Sequence, residues 1–358
     1  MDLITAHNKR TKKIKFIDGI NVHYLPVKYD SSFGILRRLW SFLLFAYKAY
    51  RYSITLGHFD KAYITSTPLT VGLTGLRLKG KHSIPYIFEV RDLWPEALIE
   101  AGLLKSSVLK KLSKKLELKI YHNASGITAL SPGIFNSVLE KKIACPIHLC
   151  SNISDCDFFE PATGSNEDLA EKYGVKQNFV IGYFGAIGRF NALEYLLKFA
   201  EYCQNKRSKI SFIIIGNGSR KKIIKRISEE KQLSNVIFID HLDKFELKRH
   251  LKLIDAAYIS FDKLKVLESN SPNKFFDALA SGKLILLNFS GWVRDYVEKY
   301  QCGFYADPNH PDELYKTLQP VITDPNILKI YQQNSHRLAE DKFDRKKLTS
   351  ELIRFIES

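Results

Sequence analysis

The sequence predicts an α/β protein of two Rossmann-like, doubly wound domains facing a cleft. Three observations predict it. Short apolar runs alternate with longer amphipathic ones along most of the chain, as parallel strands joined by helices require. The alternation pauses over 158–175 (FFEPATGSNEDLAEKYGV), a polar stretch with Pro and Gly, and then restarts. The 358 residues also suffice for two ordinary domains, each with its own core. The expected division is a first domain over 1–157, a linker over 158–175, a second domain over 176–340 and a terminal helix over 341–358. In such sheets ligands lie at the carboxyl ends of strands, where loops meet helix N-termini.

In the first domain DLITA (2–6) and INVHYLPV (20–27) read as strands, followed by a long helix over 34–53 and a strand over 62–65. A helix near 69–79, a buried strand over 86–90 and a Lys-rich helix over 105–122 come next. Strand 126–130, helix 132–140 and strand 146–149 complete it. In the second domain strands fall at 179–184, 210–215, 236–239, 256–260 and 284–287. Helices over 190–205, 219–230, 244–253 and 271–281 separate them, and 310–320, 324–336 and a segment from about 343 are also helical. The helix over 271–281 has well-marked ends. Ser271 suits the N-cap, Pro272 the first turn, and Gly282 the position just past the end.

Hydrophobic residues make up 45% of the chain and charged ones 26%, an ordinary globular balance. The net charge of +16 is not ordinary and asks for an anionic partner. Nucleic acid is not expected, because the basic residues do not interleave with an aromatic platform. A phosphate-bearing substrate and an acidic lipid surface remain. Cys145, Cys150, Cys156, Cys203 and Cys302 form no CxxC pair and no metal-like cluster, so reduced thiols in the cytoplasm and no bound metal are expected. No apolar run reaches the ~20 residues of a spanning helix.

The segment 35–51 (ILRRLWSFLLFAYKAYR) is apolar around its middle and basic at both ends. Leu39, Trp40, Phe42, Leu43, Phe45 and Tyr47 suit a membrane interface. Arg37, Arg38, Lys48 and Arg51, with Lys105, Lys110, Lys111, Lys114 and Lys115, suit anionic headgroups. The plainer account is a helix buried in its own domain with snorkelling ends.

Five stretches have the residues for chemistry. In 271–281, Phe275, Phe276, Leu279 and Ala280 make a buried side, while Lys274, Asp277 and Ser281 share a polar stripe. A helix start with free N–H groups (Ser271, Asn273) and Lys274 suits a phosphate; Asp277, one turn deeper, can accept from two adjacent hydroxyls. The plainer account is an exposed Lys274–Asp277 ion pair. YFGAIGRF (183–190) sets Gly185 and Gly188 between strand and helix, with Arg189 as a charged clamp. It lacks the GxGxxG spacing, so a dinucleotide site is not expected. Gly216 opens a second strand-end turn (GNGS), and His241 and Leu242 follow a strand where backbone groups can read a base. In YIFEVRDLWPEA a buried strand delivers Glu89, Arg91, Asp92 and Glu96 to its carboxyl end, either for catalysis or as a structural Arg91–Asp92 network.

Together these residues resemble the family 4 glycosyltransferases of the GT-B fold. RDLWPE (91–96), SNISDCDFF (151–159), SPNKxFDxLASGK (271–283), CGF (302–304) and the terminal FDRKKL are similar to the subgroup that builds O-antigen and capsule, including N-acetyl-L-fucosamine transferase-like enzymes. The resemblance implies a retaining, metal-independent hexosyl or N-acetylhexosaminyl transfer. The donor would be a nucleotide-diphosphate sugar bound by the second domain, and the acceptor an undecaprenyl-linked or other lipid-linked glycan at the inner face of the plasma membrane. By the same resemblance Asp277 binds ribose, with Ser269 where the family's other glutamate stands. Arg189 meets phosphate, with Asn191 and Ala192 near the family's usual lysine and Lys274 supplying that charge. Asp92, with Arg91 and Glu89, lies in the catalytic loop. The family opens with a βα unit before the strand that matches DLITA, so the resemblance implies a first domain lacking that unit. A nucleotide-sugar epimerase of the same fold, or a weak or inactive truncated homologue, are the alternatives.

Overall fold

The computed structural model describes residues 1–30, 33–161 and 166–358. The chain divides into two compact units, Met1–Cys150 with Phe355–Ser358, and Ser151–Arg354.

The first unit contains β1 (Asp2–His7), β2 (Lys13–Ile17), β3 (Ile20–Pro26), α1 (Ile35–Ser53), β4 (Ala62–Thr65), α2 (Gly72–His82), β5 (Tyr86–Val90), α3 (Glu96–Glu100), α4 (Ser107–Asn123), β6 (Gly126–Ala129), α5 (Pro132–Leu139) and β7 (Ile147–Leu149). Its strands form two sheets, a parallel β4-β5-β6-β7 and a smaller β1-β3-β2. In the smaller sheet β1 runs parallel to β3 and β2 antiparallel to it. The antiparallel strand is not among those the sequence predicts. Asp18 and Gly19, both at positive φ, close the β2–β3 hairpin with the turn that matches strand twist. His23 is buried in this sheet, bonded to Asp2 at 2.7 Å and to the Tyr52 hydroxyl at 3.0 Å.

The second unit contains α6 (Glu167–Lys172), β8 (Phe179–Phe184), α7 (Glu194–Asn205), β9 (Ile210–Ile215), α8 (Lys221–Glu230), β10 (Val236–Ile239), α9 (Lys244–Leu251), β11 (Ala256–Ile259), α10 (Asn273–Ala280), β12 (Leu284–Leu287), α11 (Trp292–Lys299), β13 (Gly303–Tyr305), α12 (Pro311–Thr323), α13 (Pro325–Phe343) and α14 (Arg345–Glu357), the last four residues of the chain grouping with the first unit. The sheet runs β10-β9-β8-β11-β12-β13, all parallel. This is the doubly wound order in which the chain reverses direction between the first and fourth strands, here β8 and β11. That pair fixes where a ligand belongs. β8, β9, β11 and β12 are buried along their whole length, as strands covered by helices on both faces must be.

Part of the expected linker is structured. Residues 162–165 lie outside the described residues, but Asn166 caps α6 through a bond from the Leu169 N–H, and Leu169, Ala170 and Val175 are buried. A polar surface and one Pro disguise a short amphipathic helix.

Candidate functional site

The switch point between β8 and β11 gathers most of the expected donor residues. Beyond β8 the chain turns at Gly185 (φ +130°), and beyond β9 at Gly216 (φ +145°). The two turns lie against each other: a methyl group placed on Gly216 would sit 1.9 Å from the Gly185 carbonyl oxygen. The contact continues through Ile187, whose N–H donates to the Asn217 carbonyl at 2.9 Å and whose own carbonyl accepts from the Arg220 N–H at 3.0 Å. Gly216→Ala is therefore expected to force the turns apart, destabilising the protein by about 2–4 kcal/mol, the scale of severe packing and backbone faults. Denaturant melts would read this; an unchanged midpoint would show that the turns can separate freely.

Lys274 reaches this junction from α10. Its Nζ donates to the Tyr183 hydroxyl at 2.6 Å and lies 3.8 Å from the Tyr183 ring centroid. The Tyr183 hydroxyl in turn donates to the Ala186 carbonyl in the glycine turn. A methyl group on Gly185 would stand 3.3 Å from Lys274 Cε, so the bare glycine backbone makes room for the lysine. Burial pushes the ammonium down to about 7. The plainer alternative, an exposed Lys274–Asp277 pair, does not form, since Lys274 turns to Tyr183. A cation held under a glycine turn at a helix start is a place for a phosphate.

The start of α10 differs in detail. Pro272 keeps an extended ψ of 122°, so the helix begins at Asn273 and Ser271 does not cap it. The Ser271 carbonyl instead accepts from Asn152 Nδ2 at 2.7 Å. The other end is as expected, with Gly282 at φ +60° and Phe275, Phe276, Leu279 and Ala280 fully buried.

Asp277 faces a cavity of about 380 Å³ lined by Asn152, Ile153, Asp155, Lys244, Asn273, Asp277 and Arg345. Burial raises its carboxyl to about 6, with the nearby Lys244 pulling down and Asp155 pushing up. Asp155 accepts from Lys244 at 2.8 Å and from Arg345 at 3.4 Å. Burial alone would raise Asp155, but these cations hold it below the ordinary carboxylate value. Four polar lining residues, Asn152, Asp155, Lys244 and Arg345, are not among those the sequence points to. Three of them lie inside motifs that carry the family resemblance, SNISD and FDRKKL.

Other expected donor residues sit on neighbouring loops. Arg189 is exposed in the short turn Arg189–Asn191 that follows Gly188. His241 is exposed and Leu242 half-buried after β10. That loop is joined to the Gly216 turn by Lys221, which donates to the Gly216 carbonyl at 2.9 Å and to Asp240 at 2.6 Å. Ser269 ends a short turn, and next to it the Asn270 carbonyl accepts from Trp292 Nε1 at 2.9 Å.

In the first unit the acids at the end of β5 and in the loop beyond it separate. Arg91 pairs with Glu89 at 3.6 Å rather than building a network on Asp92. Asp92 accepts a long bond from Thr67 Oγ1, 3.4 Å, and burial raises its carboxyl despite the charge of Arg91. Glu96 turns to Lys141, 3.8 Å away, which also meets the buried Glu117 at 3.0 Å.

Helix α1 buries only one face. Ala46, Ala49 and Tyr50 are inside, while Leu36, Leu39, Trp40, Leu43 and Tyr47 form an exposed stripe at helical spacing. Phe42 and Phe45 are half-buried, Phe42 stacked on Tyr29, so they do not belong to that stripe. Lys48 donates to the Pro26 carbonyl at 2.8 Å and is spent within the fold. Among the described residues no helix is long and apolar enough to cross a membrane.

Residues 165–338 match the family described as Glycosyl transferases group 1. The chain is 22% identical over 241 residues to a probable glycosyltransferase, WbjE, of Pseudomonas aeruginosa, covering 66% of this chain and 59% of that protein. It is 22% identical over 368 residues to the capsular polysaccharide biosynthesis glycosyltransferase CapM of Staphylococcus aureus, covering 95% and 86%. Sucrose-phosphate synthase from Thermosynechococcus elongatus superposes with a TM-score of 0.75 at 15% identity, over 99% of this chain and 88% of that one. Anabaena HepE in complex with UDP and glucose superposes with a TM-score of 0.72 at 16% identity, over 95% and 87%. Residues 165–338 are thus similar to the glycosyl transferases group 1 family, and the chain has the GT-B fold.

Proposed function

We propose that the chain is a retaining, metal-independent glycosyltransferase of surface polysaccharide assembly, O-antigen or capsule. It would move a sugar from a nucleotide-diphosphate donor to a lipid-linked glycan while resting on an acidic membrane surface. The observation that supports this most is the placement of Lys274 beneath the Gly185 turn, one helical turn from Asp277 and its cavity. The diphosphate lies across Gly185, Arg189, Lys274 and the Ser271–Asn273 approach to α10, and Asp277 takes the ribose hydroxyls. Gly216, His241 and Leu242 border the base. The bond from the anomeric carbon to the diphosphate breaks and the acceptor oxygen bonds to the same face. Its proton passes to the leaving phosphate, whose growing charge Lys274 and Arg189 stabilise. Asp92, with Arg91 and Glu89 beside it, is assigned to orienting the acceptor. The relatives' names, glycosyltransferase WbjE and the capsular enzyme CapM, support the polysaccharide setting. The exposed stripe of α1 supports the membrane setting.

The test is calorimetric titration with a panel of nucleotide-sugars, followed by incubation with lipid-linked acceptors. Free nucleotide and a lengthened glycan are expected. An epimerised donor with no lengthened glycan, or tight binding with no turnover of any acceptor, would overturn the reading.

A further inference from the structure

We propose that β2 is a second lipid-contacting element: Ile14 and Phe16 enter an anionic bilayer interface while the cations of 9–15 meet its headgroups. The inference rests on the peripheral membrane reading above and adds an element to it. Every residue of β2 is exposed, and Phe16 keeps 74% of its surface in solvent. β2 lies at the edge of its sheet, bonded to β3 on one side. Lys9, Arg10, Lys12, Lys13 and Lys15 precede the next acid, Asp18, so the hairpin is a concentrated cationic patch.

Its geometry sets it beside α1. Ile14 stands opposite His23, and residues opposite each other in an antiparallel pair share a sheet face. His23 bonds Tyr52 of α1, so Ile14, and Phe16 two residues on, lie on the face that carries this helix. Lys12 closes the junction, donating to the Tyr52 hydroxyl at 3.2 Å. Ile14 and Phe16 are therefore on the sheet face against which the end of α1 is held.

Neither strand addition nor edge protection fits β2 as well. Lysines on an edge strand oppose pairing with another strand, which argues against a partner adding to the sheet. Protection of the edge alone would need no exposed Ile and Phe beside those lysines. Alternating cations and apolar side chains match the headgroup and acyl boundary of an acidic bilayer.

The test uses the whole protein with vesicles of phosphatidylcholine, alone or mixed with phosphatidylglycerol, and reads sedimentation and hydrogen exchange. Wild type is expected to bind only the mixed vesicles, with slowed exchange over 12–17. Phe16→Ala, which changes no charge, should weaken partition at least about fivefold, and Phe16→Glu at least about tenfold, both with wild-type circular dichroism. Lys13→Gln with Lys15→Gln should cost about fivefold per lysine at low salt. Unchanged partition in Phe16→Glu, while Trp40→Glu releases the protein, would overturn the role of β2 and leave peripheral attachment standing. No binding of wild type to mixed vesicles would overturn both. Slowed exchange over 12–17 at high protein concentration without vesicles would assign the strand to a second copy instead.

Discussion

Lys274→Met should make the protein more stable and at the same time nearly blind to the donor diphosphate. The ammonium of Lys274 is enclosed with a phenol and an aromatic face, and neither carries the negative charge that would offset its lost hydration. Burial pushes it down to about 7. In the unfolded chain a lysine titrates near ~10.4. Between those values the unfolded state binds a proton that the folded state does not, so this group makes stability rise with pH across that window. Below it the folded protein carries a buried charge at a cost. A methionine of similar length removes the cost, and a gain of about 1–2 kcal/mol is expected at pH 7, near 2–8 °C in Tm for a unit of this size. The rise with pH should flatten in the variant. Nucleotide-sugar affinity should fall about 10–100-fold, the worth of a charged hydrogen bond. Thermal melts from pH 6 to 10 with calorimetry of donor binding check both halves. A less stable variant with undiminished affinity would mean that Lys274 is a packing residue.

This trade explains what the sequence could and could not reveal about the site. Lys274 and Asp277 were legible because a helix start with a lysine and an acid one turn on is a local pattern. That they would not pair was illegible. It depends on Tyr183, ninety-one residues away, offering its hydroxyl, and on Gly185 lacking a side chain where the lysine passes. Gly185 and Gly216 were each visible as turn residues, but their mutual contact follows from β8 and β9 being neighbours in the sheet. Long-range contacts of this kind leave no periodicity to read. The cavity beside Asp277 is a similar case, because Asp155, Lys244 and Arg345 come from three segments far apart in the chain.

At the level of the fold, the buried parallel strands were the clearest signal. Phe179–Phe184, Ile210–Ile215 and Val236–Ile239 lie at their expected bounds because continuous apolar runs have little choice of partner. The exposed β2 escaped notice for the opposite reason. Its KIKFI buries nothing, although the Asp18-Gly19 pair after it is a strong short-range hairpin signal. Short α3, α6 and α11 were also illegible, and each has too few turns for its apolar face to stand out.

Asp277→Asn is expected to cost about 1.5–3 kcal/mol of donor binding, or about 10–150-fold in Kd, with no loss of stability. A carboxylate can accept from two vicinal hydroxyls at once, whereas an amide presents one acceptor and one donor group. The wild-type carboxyl, pushed up to about 6, gives this a pH signature. Donor affinity should fall as pH drops through about 6, because the protonated acid can no longer accept twice. The variant has no such group and should lose that acid limb. The stability effect has the reverse sign. In the folded state Asp277 binds its proton more tightly than in the unfolded chain, so between the ordinary carboxylate value and about 6 stability falls as pH rises. Removing the charge lifts that penalty, and the variant should melt no lower than wild type at pH 7. Lys244 keeps its bond to Asp155 in either case, so the cavity wall survives the change. Affinity measured from pH 5 to 8 for both proteins decides the matter. A wild-type profile that is flat across pH 6, or an equal loss of affinity for a nucleotide lacking ribose hydroxyls, would take Asp277 off the ribose and leave it a buried acid beside the true site.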